Sequence, residues 1–462
     1  MKFVDREEEL NTLRKLYISD NFEFVSLIGR RRVGKTELIK EFLRETNGIY
    51  IYISLSDDKQ LRLHIAERLN DILGLSLVGE PTWRDIINAL FDKSEKEKLF
   101  VAIDEFQRLL NINESVPSLF QGAIDEKKNS SKMLLCVAGS SIGMMEKLFL
   151  SDASLYGRRT RNIKLNPFSY EDVRKWFSSQ EMDEESMLKR YAVFGGTPKY
   201  LEFATKSSLM DNIDEQILSP HSLLYDEPWV LLSTELKSPD KYFDIIKLVS
   251  VGKETPKEIS DQLDLERTSL GYYLKKLQKD FEMIERIAPV TEKITKSKKK
   301  RYRIKDNFFR FWFHFVYPNK DQLEIGDREG VKAKIEDEFD AYMGKVFEDV
   351  IGEIIKKRNG NKILEWRLGR YERIGPWWDN SGAEIDICGI SKDGYLLGEV
   401  KWSLSDERDV KKLLEKMKNS KFDYSPQYMI VSRDFTPDAK EYLRQEDVIH
   451  FTVRDFREIW SL

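Results

Sequence analysis

The sequence predicts an α/β fold with a mostly parallel sheet, followed by helical and smaller α/β parts. Three observations predict it. Short apolar runs typical of buried strands alternate with amphipathic helical stretches in the first part of the chain. A turn rich in glycine and arginine joins a predicted strand at 24–28 to a predicted helix at 37–43, and a later strand ends in two acidic residues. With 462 residues, the chain is too long for one hydrophobic core, and about three or four domains are expected.

The turn between the first strand and its helix matches the pattern G-x-x-x-x-G-K-[ST] from Gly29 to Thr36. A strand, this turn and a helix in that order direct backbone N–H groups and the positive end of the helix toward one point. Gly29 and Gly34 allow a tight turn and a close approach to phosphates. Lys35 can reach the β- and γ-phosphates, and the Thr36 hydroxyl can hold Mg²⁺. The turn therefore predicts a site for a nucleoside triphosphate.

A second signature follows at the strand predicted for 99–104. Asp104 at its end is the candidate partner of Mg²⁺, and Glu105 can polarise the water that attacks the γ-phosphate. Another apolar strand, at 133–138, is followed closely by Ser140, which places a hydroxyl at the carboxyl edge of the sheet. Ligands of α/β proteins bind at that edge. We expect ATP and Mg²⁺ as the ligands.

Arginines cluster at two points of this part. Arg158 and Arg159 lie in a predicted loop, where one of them could neutralise charge on the γ-phosphate, in its own subunit or in a neighbour within a homo-oligomer. A surface ion pair is the alternative. The residues from Arg30 to Arg32 place three positive charges inside the glycine turn. They either assist phosphate binding or are simply solvated.

Together these motifs resemble the archaeal-type ATPases of the AAA+/STAND group of P-loop proteins. Residues 3–10, with the sequence FVDREEEL, are similar to the N-terminal box of that group, which implies contacts with the adenine side near Val4 and Arg6. A later segment with the sequence GGTPKYL is similar to the lid motifs of the group. The resemblance implies that Gly196 and Pro198 belong to an element that senses the nucleotide.

The middle of the chain lacks alternating strands. Residues 166–238 are rich in helix formers, and we expect them to form a helical lid over the P-loop core at 1–165. Residues 239–306 predict three helices, with a short turn between the second and the third, and then two strands. This is the order of a winged helix-turn-helix. The tip between the strands, 293–300, is basic and suits salt-sensitive contact with DNA phosphates. Winged helices also serve as protein-interaction or autoinhibitory modules, and this alternative stays open.

An aromatic run begins the linker helix predicted for 307–340. Its apolar residues lie nearly all round the helix, which favours burial between domains, and stacking on bases is the alternative.

Residues 341–462 predict a small α/β domain. Strand alternation places Glu399 and Lys401 on one face, matching Asp386 on the preceding strand, and a helix predicted for 340–357 carries Glu348. This order and the D…E-x-K constellation resemble the restriction-endonuclease-like PD-(D/E)XK nuclease superfamily. The resemblance implies that the three carboxylates bind Mg²⁺ or Mn²⁺ and that Lys401 orients water or stabilises the attacked phosphate during phosphodiester hydrolysis. A degenerate domain that only binds its partner is the alternative.

Composition excludes several classes of protein. The net charge is −4, from 76 Lys and Arg against 80 Asp and Glu, so any basic surface must be local. The two cysteines, Cys136 and Cys388, lie in apolar runs, which argues against a disulfide framework or a cysteine zinc site. No stretch approaches the ~20 apolar residues of a membrane span, and the expected location is the cytoplasm.

Two functions fit the sequence. The first is an ATPase that binds and hydrolyses ATP to control DNA binding and metal-dependent DNA cleavage by the last domain. The second is a nucleotide-controlled regulatory switch whose winged helix and degenerate nuclease-like domain only bind DNA or protein. Both begin with ATP and ADP as ligands, and neither involves a membrane.

Overall fold

The computed structural model describes residues 4–54, 57–205, 208–236, 238–420, 422 and 426–461. Phe3, the first residue of the segment compared with the N-terminal box, lies outside them. The chain divides into two units. The first unit comprises 1–167, 197–199 and 275–282. The second unit comprises 168–196, 200–274 and 283–462.

The described strands of the first unit form one parallel sheet in the order β2-β3-β4-β1-β5. The strands are β1 (Glu23–Ile28), β2 (Gly48–Tyr52), β3 (Leu99–Asp104), β4 (Met133–Gly139) and β5 (Arg161–Lys164). Every residue of β3 and β4 is buried, as expected for strands covered by helices on both faces. The predicted parallel α/β sheet is therefore confirmed.

Helices connect and cover these strands. They are α1 (Glu7–Ile18), α2 (Lys35–Leu43), α3 (Asp58–Leu73), α4 (Trp83–Lys96), α5 (Leu109–Ile112), α6 (Val116–Lys127) and α7 (Ile142–Lys147). Helix α4 begins with a capping box between Thr82 and Asp85. Each side chain accepts a hydrogen bond from the backbone N–H of the other residue. Its buried face packs into the apolar core beside β3 and β4.

The described residues between β5 and residue 238 form helices, as predicted, and their role as a lid stays a prediction. The helices are α8 (Tyr170–Phe177), α9 (Glu184–Phe194), α10 (Pro198–Leu201), α11 (Leu209–Ile213) and α12 (Glu227–Glu235). The backbone of Gly196 lies against Phe168, whose N–H donates to the Gly196 carbonyl at 2.7 Å. A Cβ at Gly196 would lie 1.9 Å from the Phe168 carbonyl oxygen, so only glycine fits there.

Three helices and a hairpin follow. They are α13 (Asp240–Ser250), α14 (Pro256–Leu263), α15 (Arg267–Lys279), β6 (Ile284–Ile287) and β7 (Arg301–Ile304). Pro256 opens α14 behind the cap residue Thr255, and Asp264 ends it with a positive φ of 49°. The strands β6 and β7 pair in antiparallel register. These are the elements that the sequence predicted for this segment.

The predicted linker contains α16 (Asn307–Phe311), a π-helical turn (Trp312–Val316) and α17 (Lys320–Glu324). Its aromatic rings are buried, including Phe308 and Trp312, which supports the interpretation of this run as packing rather than as a platform for bases. The next helix, α18 (Arg328–Lys357), was expected from residue 340 and begins twelve residues earlier. Its apolar positions before residue 340, Val331, Ile335 and Phe339, are all buried, and this packing extends the helix.

The remaining strands form a small hairpin and a mixed sheet. The hairpin pairs β8 (Lys362–Ile363) with β9 (Trp366–Arg367). The sheet has the order β10 (Arg373–Trp378), β11 (Glu384–Ile390), β12 (Tyr395–Ser405), β13 (Gln427–Phe435) and β14 (Ile449–Thr452). The first three strands are antiparallel neighbours and the last three are parallel neighbours. The helices of this part after α18 are α19 (Glu407–Lys418), α20 (Pro437–Gln445) and α21 (Phe456–Ser461).

None of the described helices is both long enough and apolar enough to cross a membrane.

Candidate functional site

The glycine turn between β1 and α2 closes around its own lysine. Gly29 lies so close to Leu165 that a Cβ would be 2.5 Å from the Leu165 carbonyl oxygen, and Gly34 has a φ of 97°. The Lys35 ammonium donates to the carbonyls of Gly29 at 2.6 Å and Arg30 at 2.8 Å. Lys35 is only 6% exposed. The fold therefore holds its charge inside the turn where the sequence predicts phosphate.

Asp104 lies at the end of β3, beside the beginning of α2. The Thr36 hydroxyl donates to Asp104 Oδ2 at 2.7 Å, and the Tyr50 hydroxyl donates to the same oxygen at 3.0 Å. The Glu105 backbone N–H donates to Asp104 Oδ1 at 2.9 Å. Two adjacent oxygen ligands, a hydroxyl and a carboxylate, suit the coordination chemistry of Mg²⁺. The residues that would hold this ion therefore lie together.

Tyr50 is a neighbour of this pair that the sequence did not reveal. Burial raises the pKa of its hydroxyl, and the charge of Asp104 raises it further. The phenol is therefore neutral and acts as a hydrogen-bond donor to Asp104. Tyr50 lies in the middle of β2, which pairs with β3 and places residue 50 opposite Ala102, two residues before Asp104.

Glu105 follows β3 in a left-handed backbone conformation, with a φ of 57°. Its Oε2 accepts from the Ser140 hydroxyl at 3.0 Å and from Gln107 Nε2 at 2.7 Å. The Arg108 guanidinium lies 3.6 Å from the same oxygen. Since β3 and β4 are neighbours, the residues after both strands meet at one edge of the sheet. Glu105 and Ser140, predicted separately, are brought together.

The two predicted arginines have different surroundings. Arg158 forms a double hydrogen bond with Asp125, at 3.0 Å and 2.6 Å, which is the ion pair named as the alternative. Arg159 donates to the Ser26 hydroxyl at 2.9 Å and lies over the Phe149 ring at 4.4 Å. Their action on a nucleotide, in the same or a neighbouring subunit, stays a prediction.

The residues compared with the adenine-side box lie at the first unit's amino end. Arg6 donates to the Asn166 carbonyl at 2.6 Å and to the Val33 carbonyl at 3.3 Å. It therefore touches the glycine turn, while Val4 is partly buried before it. Pro198 is the first residue of α10. The nucleotide contacts of Val4, Arg6 and Pro198 stay predictions.

A second group of charged side chains lies on the C-terminal sheet. The Lys401 ammonium lies 3.2 Å from Asp386 Oδ2 and 3.3 Å from Glu399 Oε2. The other oxygen of Glu399 accepts from Lys416 at 2.7 Å, and the Val400 backbone N–H donates to Asp386 at 2.8 Å. Glu399 is fully buried. One ammonium thus already lies between the two carboxylates, so their spacing suits a shared cation.

Electrostatics link the predicted site residues of this domain. Burial raises the pKa of Glu348 to about 7, and the charge of Asp386 adds to that effect. The same two causes raise the pKa of Glu399. Burial lowers the pKa of Lys401, but the charges of Asp386 and Glu399 outweigh it and leave that pKa raised. Asp386 therefore lies close enough to interact with both glutamates.

The three predicted metal ligands are not all arranged as one coordination set. Glu348 accepts from Lys345 at 2.8 Å. Within the described part of the chain, no group of three or more His, Cys, Asp or Glu side chains is placed to hold a metal ion. Metal binding by Asp386 and Glu399 stays a prediction. Coordination by Glu348 stays a prediction.

Several residues that contact the predicted site residues were not identified from the sequence. Gln107, Arg108 and Lys416 each contact a predicted acidic residue, but no motif marks them. Lys416 lies on α19, one of many lysines on an exposed helix, and only its contact with Glu399 distinguishes it.

Comparisons with known proteins identify families and relatives that this chain resembles. Residues 3–203 match the model of an ATPase domain found predominantly in Archaea, and residues 312–413 match a family of archaeal and bacterial proteins of unknown function. An uncharacterized protein of Methanocaldococcus jannaschii is 34% identical over 464 residues, spanning 98% of this chain and 100% of that protein. An uncharacterized ATP-binding protein of Pyrococcus abyssi is 24% identical over 246 residues, spanning 44% of this chain and 73% of that protein.

A solved structure shows a similar fold. The Walker-type ATPase of Pyrococcus abyssi has a TM-score of 0.52 and 21% identity, and the match covers 67% of this chain and 96% of that one. With the full-length match to the Methanocaldococcus jannaschii protein and the geometry of the glycine turn, the chain belongs to the family of ATPase-domain proteins found predominantly in Archaea.

Proposed function

We propose that this protein hydrolyses ATP to control a DNA-binding module, and that its C-terminal carboxylates cleave phosphodiester bonds in DNA. The observation that carries the ATPase part is the position of Glu105. Ser140 and Gln107 hold its carboxylate at the sheet edge where β3 ends in Asp104, which accepts from Thr36. A carboxylate fixed next to the predicted metal and phosphate residues is what water activation requires.

Each side chain of this site has a distinct task. Thr36 and Asp104 would hold Mg²⁺, which supplies neutralisation of phosphate charge when bound. Lys35 exchanges its carbonyl partners for phosphate oxygens. Glu105 accepts a hydrogen bond from the attacking water and orients it toward the γ-phosphate. Ser140 and Gln107 fix the direction of that carboxylate.

The test separates binding from hydrolysis. Glu105→Gln should lower the ATP hydrolysis rate by about 100-fold or more while ATP binding persists, because the amide cannot accept the water's proton. Lys35→Ala should abolish binding. Glu114→Gln, at an exposed position of the same unit, is the matched control and should keep the wild-type rate. Wild-type hydrolysis by Glu105→Gln would exclude this carboxylate as the base.

The DNA part of the proposal is supported by the three helices α13–α15 and the hairpin β6–β7. The outer residues of α15, Arg267, Ser269 and Tyr272, are exposed, a mixture suited to phosphates and base edges. The segment 298–301 before and into β7 is a run of basic residues.

The cleavage part is supported by Lys401, whose ammonium lies 3.2 Å from an oxygen of Asp386 and 3.3 Å from an oxygen of Glu399. Asp386 and Glu399 would hold Mg²⁺ or Mn²⁺, which supplies charge neutralisation and a more acidic bound water. Lys401 would move from its carboxylate partners to the attacked phosphate. Glu348, whose pKa is raised by burial and by the charge of Asp386, is the further proposed ligand.

The cleavage test uses the full chain and plasmid, duplex and single-stranded DNA with Mg²⁺ or Mn²⁺. Asp386→Asn and Lys401→Ala should each lower the cleavage rate by about 100-fold or more. The exposed Asp393→Asn is the matched control and should cleave normally. Cleavage that persists in Asp386→Asn would point to a contaminating nuclease.

The second candidate is a regulatory switch in which the last domain only binds. Two ion pairs favour it, because Lys401 and Lys416 already neutralise Glu399. Under this candidate the wild-type protein cleaves no DNA with any divalent ion, and ATP changes its affinity for DNA or a protein.

A further inference from the structure

The hairpin β6–β7 and the C-terminal sheet share one basic pocket. Its volume is about 440 Å³. Cationic residues from three places line it: the beginning of α14, the beginning of α15 and the chain leading into β7. They are Lys257, Arg267, Lys298, Lys299, Lys300 and Arg301. The opposite wall is the end of β10 and the residues after it, Trp378 to Asn380.

The wall of this pocket is held in place by direct contacts. The Val290 backbone N–H donates to the Pro376 carbonyl at 2.9 Å, which joins the hairpin to β10. Arg301 donates to Glu384 at 2.6 Å and lies over the Trp378 ring at 4.4 Å. The hairpin therefore does not project away from the C-terminal sheet, and its basic residues face a fixed partner surface.

The charge of the pocket is mostly uncompensated. Lys299 pairs with Glu292 at 3.1 Å, and Arg301 pairs with Glu384. For Lys257, Arg267, Lys298 and Lys300, the described residues provide no ion-pair partner. The lining acid Asp379 already accepts from the Ser381 and Ala383 backbone N–H groups. Like charges gathered in a concave surface repel one another and are stabilised by a polyanion.

The pocket leads toward the carboxylates of the C-terminal sheet. Glu384 and Asp386 are two residues apart on β11, so their side chains lie on the same face. Their Cα atoms are about 7 Å apart, as the rise of a strand requires. Arg301, at the pocket's edge, touches Glu384. Asp386 therefore lies about 7 Å along β11 from a residue that the pocket residue Arg301 contacts.

We infer that this composite pocket grips the sugar-phosphate backbone of DNA and delivers the adjacent phosphodiester to Asp386 and Glu399. The inference rests on the proposed function and names how that function selects its substrate. It assigns DNA contact to the residues that line the pocket, and to Trp378–Asn380 of the C-terminal domain, rather than to the whole basic tip at 293–300.

The test compares two pairs of lysines from the same tip. Lys298 and Lys300 line the pocket, whereas Lys293 and Lys296 are exposed and outside its lining. Binding of a fluorescein-labelled duplex is measured by anisotropy across a range of KCl concentrations. All proteins carry Asp386→Asn and contain no divalent ion, so that cleavage does not interfere. The thermal unfolding midpoint of each variant checks that it folds.

The double variant Lys298→Ala/Lys300→Ala should lose about tenfold or more in affinity. Its slope of log affinity against log salt should be less steep by about 2, one unit for each phosphate contact removed. Lys293→Ala/Lys296→Ala should stay within about twofold of its parent. Equal losses in both pairs, or loss in neither, would overturn the pocket as the binding site.

The result also distinguishes the two levels of the proposal. If the parent protein binds no duplex at all, both the pocket and the DNA-directed function fail. If the pocket lysines matter for binding while the protein with Asp386 intact cleaves nothing with Mg²⁺ or Mn²⁺, only the cleavage part fails.

Discussion

Glu348 shows how one residue's surroundings set its chemistry. An ordinary glutamate is ionised at neutral pH, but burial and the nearby charge of Asp386 raise the pKa of Glu348 to about 7. Without a metal ion, its protonated form is therefore populated near neutrality. A divalent ion would reverse the preference by favouring the carboxylate.

This shift predicts a pH dependence of stability in the presence of EDTA. The folded pKa lies above the unfolded value of 4.5, so the stabilisation is fully present below that value and is lost as pH rises through about 7. The free energy of unfolding should fall by on the order of 2 kcal/mol between about pH 5 and about pH 8. Glu348→Gln should reduce this fall, and Glu336→Gln, exposed on the same helix, should not. Denaturant titrations at each pH measure it, and identical slopes for all three proteins would contradict the assignment.

Gly196 supports a second prediction at the scale of one residue. Because its Cβ position lies 1.9 Å from the Phe168 carbonyl oxygen, Gly196→Ala must displace backbone and should destabilise the protein by at least ~2 kcal/mol. Gly344 lies in the middle of α18 with no heavy atom within 4 Å of its Cβ position. Gly344→Ala should therefore stabilise by about 0.5–1 kcal/mol. Thermal unfolding of the two variants should shift in opposite directions.

At the scale of elements, α18 connects the hairpin to the C-terminal sheet. Asp349 on α18 accepts from Arg303 of β7 at 2.5 Å and from Arg310 of α16 at 3.0 Å. Burial alone would raise the pKa of Asp349, but the two arginines outweigh it and lower that pKa to about 2. Asp349, the residue after Glu348, thus forms an ion pair with the hairpin.

The contact predicts a large cost for neutralising Asp349. Asp349→Asn removes the anion that Arg303 and Arg310 share, and should destabilise by about 2–4 kcal/mol, since removing one partner of a largely buried pair is costly. Asp337→Asn, exposed on the same helix, is the control and should change stability by less than about 0.5 kcal/mol. Urea unfolding measures both. A small effect at Asp349 would show that the arginines are satisfied by other groups.

At the scale of the whole molecule, the proposed function requires the two units to communicate. Duplex DNA should raise the ATP hydrolysis rate of the wild-type protein several-fold, and Asp386→Asn should keep that stimulation because it removes cleavage and not the pocket. Glu105→Gln should show no hydrolysis with or without DNA. A steady-state ATPase assay across DNA concentrations measures the effect. An unchanged rate at saturating DNA would separate the ATPase from DNA binding.

Local patterns were sufficient for much of the fold. The strands β1, β3 and β4 are short apolar runs, and the turn at 29–36 has fixed backbone requirements, so both follow from nearby residues. The helix predicted to begin at residue 340 begins at Arg328 instead, because the buried Val331, Ile335 and Phe339 join the end of the predicted linker helix to it. A short stretch of sequence does not show which distant residues these side chains pack against.

The sequence by itself determined the parallel sheet, the phosphate-binding turn, and the residue types at 104, 105, 140, 386, 399 and 401, because spacing along one chain specifies strands, helices and turns. Only the tertiary structure decided which side chains meet. It brought Tyr50 to Asp104, paired Arg158 with Asp125, placed Lys416 against Glu399 and joined the basic hairpin to β10. The physical reason is that burial and charge pairing act between residues that are near in space, and no short stretch of sequence records that distance.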